Sequence, residues 1–107
     1  MIAIQRTQQF IAWLTSLRDQ VAKAHIARRI ERLGQGNAGD VKPVGDGVSE
    51  MRIDHGPGYR LYFIGRGDSL IILLCGGDKG SQDADIKNAH TMWKELNPPV
   101  KKPAKKE

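Results

Sequence analysis

A second cysteine is missing from these 107 residues, so no disulfide can form within the chain. The single thiol, Cys75, lies in the apolar run Leu70-Ile-Ile-Leu-Leu-Cys75, which favours a buried structural role over a nucleophile and fits a reducing, cytoplasmic setting. No apolar stretch approaches the length of a membrane span, and Met1-Ile-Ala-Ile-Gln-Arg6 lacks the layout of a signal peptide, so no membrane partner is expected. Histidine is scarce too. His25, His55 and His90 fall on a helix, a turn and another helix without paired-ligand spacing, so neither a metal site nor another cofactor is expected. There is no Gly-x-Ser-x-Gly elbow. The glycine-rich stretch from Gly34 to Gly47 has no Gly-x-x-x-x-Gly-Lys-Ser/Thr pattern and no strand leading into it, so it reads as a long connection rather than a phosphate cradle.

What is present suits a soluble domain: 39% hydrophobic and 27% charged residues, with a net charge of +5. Lys101, Lys102, Lys105 and Lys106 against Glu107 account for three of those charges, which leaves the rest of the chain mildly basic. One domain over residues 1–97 is expected, followed by a disordered Lys-rich tail at 98–107. Ile2 to Arg6 reads as a strand. Thr7 then caps a helix carrying Phe10, Ile11, Trp13, Leu14 and Leu17, and Asp19 caps a second with Ala22, Ile26, Ile30 and Leu33 on one face. After Lys79, a third helix places Ile86, Ala89, Trp93 and Leu96 on its apolar stripe and ends at Asn97-Pro-Pro99.

Between the second and third helices lies the stretch with the clearest pattern. Ser49 to Ile64 alternates apolar and charged residues, turns on Gly56-Pro57-Gly58 and alternates again; after Arg66-Gly67-Asp68 the run from Leu70 is almost wholly apolar. This predicts a three-stranded antiparallel meander whose last strand is covered on both faces. The period of two puts Glu50, Arg52 and Asp54 on one face and Met51 and Ile53 on the other, and separates Arg60 and Tyr62 from Tyr59, Leu61 and Phe63. The expected class is α+β in the order β-α-α-β-β-β-α, a meander sheet packed by a helical hairpin with a C-terminal helix added.

The meander can gather Glu50, Arg52, His55, Arg60, Tyr62, Asp78 and Lys79. RNA cleavage needs a base for the ribose 2′-hydroxyl, cations for the phosphorane-like transition state and an acid for the leaving 5′ oxygen. RNA brings its own nucleophile, so a small protein without metal can do this. Glu50 or His55 are candidate bases, Arg60 and Arg52 charge stabilisers, and Lys79 a phosphate ligand or the acid. The competing reading is a solvated cross-strand ion pair of Glu50 with Arg60.

At these residues the chain resembles the RelE/ParE toxin superfamily, and within it the HigB-like addiction module killer proteins. The resemblance covers roughly Ile4 to Leu96. It rests on Phe10-x-x-Trp13-Leu14-x-x-Leu17-Arg18-Asp19, on Gly36-Asn37-x-Gly39-Asp40-x-Lys42-x-Val44-Gly45-x-Gly47-Val48-x-Glu50-x-Arg52-Ile53, on Gly56-Pro57-Gly58-Tyr59-Arg60-x-Tyr62-Phe63 and on Gly76-Gly77-Asp78-Lys79-x-x-Gln82-x-x-Asp85-Ile86. It implies the toxin of a toxin–antitoxin pair, with a helix-turn-helix antitoxin as partner, that cuts mRNA on the ribosome without metal. The basic residues of such relatives match at Arg52, Arg60 and Lys79. The Tyr that assists catalysis in the last segment of RelE proteins has no counterpart here, where Asp85 stands. A ParE-like inhibitor that binds DNA gyrase and cleaves nothing is the alternative the resemblance carries.

Overall fold

A computed structural model describes residues 2–96; the expected Lys-rich tail lies outside the described residues. Its elements are β1 (Ala3–Arg6), α1 (Gln8–Ser16), α2 (Gln20–Gly34), β2 (Val41–Pro43), β3 (Ser49–Ile53), β4 (Tyr59–Arg66), β5 (Leu70–Asp78), a 3-10 turn (Lys79–Ser81) and α3 (Gln82–Leu96). The class is α+β, one five-stranded sheet in the order β1-β5-β4-β3-β2 with helices on both faces. Strands β2 to β5 run antiparallel to their neighbours, and β1 pairs parallel with β5.

The element order corrects the expected one by a strand. β2 arises within the glycine-rich connection, where Val41, Lys42 and Pro43 pair with Met51, Glu50 and Ser49. Three residues are too short to show a period of two, and Pro43 has no N–H to donate, so this strand sits at the sheet edge.

Helix starts follow the side chains that satisfy free backbone N–H groups. Thr7 Oγ1 accepts from Phe10 N at 3.1 Å and donates to Leu74 O on β5, fixing α1 to the sheet. Asp19 Oδ1 accepts from Val21 N at 3.0 Å and Ala22 N at 3.1 Å. Such caps contribute about 0.5–2 kcal/mol each. α1 stops at Ser16, so the joint between the hairpin helices is only three residues long.

Two hydrophobic clusters sandwich the sheet. Under α1 and α2, Phe10, Ile26, Ile30 and Leu33 meet Met51, Ile53, Leu61, Phe63, Ile71 and Leu73. Under α3, Ala89 and Met92 meet Val48, Tyr62, Ile64, Ile72, Leu74 and Cys75. Each fully buried aliphatic side chain contributes about 1.5–3 kcal/mol relative to exposure. β5 is thus covered on both faces. The expected stripes change at their margins, since Ile11 and Leu96 are exposed while Met92 is buried.

A β-bulge offsets the far end of β5 against β4. Tyr62 opposes Cys75 but Phe63 opposes Leu73, so Leu74 is an extra residue on β5. Leu74 and Cys75 both enter the α3-side cluster, and beyond the bulge Gly76 lies under Trp13 of α1 while Gly77 lies under Asp85 of α3. No described helix is long and apolar enough to cross a membrane.

Candidate functional site

Register brings the cations together. Arg52 on β3 stands directly opposite Arg60 on β4, and Arg60 opposes Gly77, one residue before the end of β5 and two before Lys79. Like charges face to face across two strands are unfavourable unless an anion compensates them. Arg52, Arg60 and Lys79 together line one open hollow of about 380 Å³, closed by the turn residues Gly56, Pro57 and Gly58 and carrying two carboxylates, Asp40 and Asp54. Gly58 has φ +80, and a Cβ there would lie 3.4 Å from Lys79 Cβ and 3.6 Å from Arg60 Nη1. Only a residue at ease with positive φ lets the turn come this close to both cations.

Glu50 compensates the arginines from beneath. Its side chain is fully buried on the same face. Oε2 accepts from Tyr62 Oη at 3.0 Å and from Gln82 Nε2 of α3 at 2.8 Å, and Oε1 accepts from Arg52 Nε at 3.3 Å. Lys42 Nζ on β2 is 3.9 Å away and Arg60 Nε 4.0 Å. Burial opposes ionisation, but the hydrogen bonds from Gln82, Tyr62 and Arg52 and the charge of Lys42 outweigh it and hold the carboxyl below its ordinary value. Among the described residues, no hydrogen-bond acceptor reaches the buried Nε of Arg60.

The two candidate bases lie away from the open part of the hollow. Glu50 is fully buried and accepts hydrogen bonds on both oxygens, from Tyr62 and Gln82 on one and from Arg52 on the other, which leaves a ribose hydroxyl no open path to it. His55 turns to α2. Its Nε2 lies 3.0 Å from Asp19 Oδ2 and its ring stacks on His25 with centroids 4.9 Å apart, and it is not part of the hollow's lining. Asp19 is held below the usual carboxylate range by the Ala22 N–H and then by His55. Tyr62 keeps its proton on the hydrogen bond to Glu50, because burial and then the Glu50 charge push its phenol far up. Asp78 caps the 3-10 turn, accepting from Gly80 N and Ser81 N, and so fixes where Lys79 begins.

The accessible carboxylates of the hollow are Asp40 and Asp54, neither of which the residue pattern marks as a candidate base. Asp54 carries a signal all the same: it shares the period-two face of Glu50 and Arg52. Asp40 has only its place in the glycine-rich motif, because β2, which carries the chain past the hollow, leaves no pattern.

Cys75 remains outside this chemistry, with its thiol pushed up to about 12 by burial and then by Asp85. Among the described residues, no group of three or more His, Cys, Asp or Glu side chains is gathered closely enough to hold a metal ion.

Residues 12–96, from α1 through α3 and including every residue of the hollow, match the family described as Phage derived protein Gp49-like (DUF891). The chain is also 52% identical over 95 residues to an uncharacterized protein of Haemophilus influenzae, a match covering 89% of this chain and 96% of that one.

Proposed function

We propose, from the premise that this chain belongs to the Gp49-like phage-derived family, which is a family of RelE-like toxins, that it is the toxin of a toxin–antitoxin module and cuts mRNA on the ribosome without a metal ion. One observation carries the reading: Arg52, Arg60 and Lys79 share an open hollow with accessible carboxylates. That is the composition an in-line attack by a ribose hydroxyl on its own phosphodiester requires.

In this scheme the scissile phosphate sits between Arg52 and Arg60. The preorganised guanidinium of Arg60 meets the charge that grows on the phosphorane oxygens, and Arg52, held at Nε by Glu50, braces the other side. Asp54 accepts the 2′-hydroxyl proton and Lys79 delivers one to the departing 5′ oxygen. The products are a 2′,3′-cyclic phosphate and a free 5′-hydroxyl. Glu50, Tyr62 and Gln82 act as positioning residues. The partner is a cognate antitoxin of the helix-turn-helix kind, which neutralises the toxin by covering the hollow or by blocking entry to the ribosome.

The test is cleavage of ribosome-bound mRNA by purified protein. Arg60→Ala is expected to lower the rate on the order of 10²-fold or more. A near wild-type rate would remove the assignment. Pulse labelling after induction tests the target: protein synthesis should stop first, and an earlier arrest of DNA synthesis would point to gyrase instead.

A further inference from the structure

On the outer face of α2 a second, smaller hollow of about 120 Å³ is lined by Val21, Ala24, His25 and Arg28. Its floor is aliphatic and open, with Val21 57% exposed. Two of its lining side chains are planar, an imidazole and a guanidinium. The His25 ring packs on His55 at 4.9 Å with a 38° tilt, and His55 belongs to the turn whose Asp54, Gly56, Pro57 and Gly58 line the first hollow. The second hollow therefore neighbours the turn that closes the first, through the contact of His25 with His55.

Charge is unevenly placed along the chain. Residues 2–34 contain six Arg and Lys against two Asp and Glu, whereas residues 35–96 contain seven against nine. Arg29 is turned inward, donating to Arg52 O at 2.7 Å and Ala38 O at 3.2 Å, but Arg28 and Arg32 are exposed one turn apart. An exposed valine, an imidazole and a guanidinium follow one another along this face at i, i+4 and i+7, around the small hollow.

We infer that this face of α2 is a nucleobase subsite, in which an unpaired base of the RNA flanking the cleaved phosphate stacks between His25 and Arg28 over Val21, with His55 carrying the strand across from the first hollow. Flat π-faces and guanidinium planes beside a small apolar surface are what single-stranded RNA bases stack on, and the exposed Arg28 and Arg32 suit the phosphates on either side. The subsite rests on the nuclease reading for its place beside the reacting phosphate, but it is tested by binding alone.

The probe is an uncleavable 2′-O-methyl RNA, offered as a dinucleotide that fills the first hollow and as a hexanucleotide long enough to reach α2. Wild-type protein should bind the hexanucleotide more tightly. In the variant carrying both His25→Ala and Arg28→Ala that preference should fall about tenfold, the effect of losing one stacked base. Alanine at exposed helix positions keeps the helix intact. In the wild type the His25 ring resonances should move with the hexanucleotide and stay still with the dinucleotide. An unchanged length preference in the variant, silent His25 resonances or no binding of either RNA would each overturn the subsite. So would a variant that loses only its affinity for the antitoxin, since the face would then belong to a protein partner. Failure of the nuclease reading is separate: the wild type would bind RNA yet leave ribosome-bound mRNA uncut.

Discussion

A carboxylate cut off from water lies within 4.0 Å of three cations, Lys42, Arg52 and Arg60, and that makes Glu50 the residue on which the site's geometry turns. Removing it would leave Tyr62 and Gln82 without an acceptor and set Lys42, Arg52 and Arg60 against one another with nothing between. Breaking a buried pair in this way costs about 3–5 kcal/mol. Glu50→Ala should therefore lower the urea midpoint far more than Asp54→Ala, whose side chain is exposed. The pH dependence has a definite sign. The folded carboxyl titrates below its ordinary 4.5, so the stability it supplies is complete above that value and is lost as pH falls through the folded pKa. Urea midpoints of the wild type should decline below about pH 4.5, and Glu50→Gln should lack that component. The alternation of β3 makes it legible that Glu50 shares a face with Arg52. Its burial is not legible, because the lid over it comes from Gln82, thirty-two residues further on.

At the scale of elements, β5 is gripped from both faces where it ends, and two adjacent glycines permit it. A Cβ at Gly76 would run into the Trp13 ring, and one at Gly77 into the Asp85 carboxylate. Trp13 is held between Phe10 and Tyr59 and cannot step aside easily. Gly76→Ala should therefore cost about 1–3 kcal/mol by overpacking, read as a shift in the urea midpoint with unchanged slope. A larger share of the cost at Gly77 should appear as lost activity, because moving Asp85 and Ser81 disturbs the 3-10 turn that presents Lys79. The helices, their caps and the meander are legible in the sequence because each has a repeat several residues long. β2 and the bulge at Leu74 are not. A three-residue edge strand has no period, and a bulge is a break in register between two strands that neither strand shows alone. Both matter to the site: β2 brings Lys42 to Glu50, and the bulge decides which glycine meets which helix.

At the scale of the whole molecule, charge is uneven along the chain: residues 2–34 carry six Arg and Lys against two Asp and Glu, residues 35–96 carry seven against nine, and three of those seven, Arg52, Arg60 and Lys79, share one hollow. Such a distribution suits a strand of RNA running from the hollow onto α2, where Arg28 and Arg32 are exposed. The electrostatic part of this binding is measurable without any cleavage. If Arg28, Arg52, Arg60 and Lys79 each neutralise one phosphate, the logarithm of the affinity for the uncleavable hexanucleotide should fall with the logarithm of salt concentration at a slope of about −3, close to 0.7 per contact for single strands. Arg28→Ala should make that slope shallower by about 0.7 for the hexanucleotide and leave the dinucleotide's slope alone. A slope near zero would mean that phosphate contacts do not hold the strand. A slope that Arg28→Ala leaves unaltered for the longer RNA would mean that it ends at the hollow.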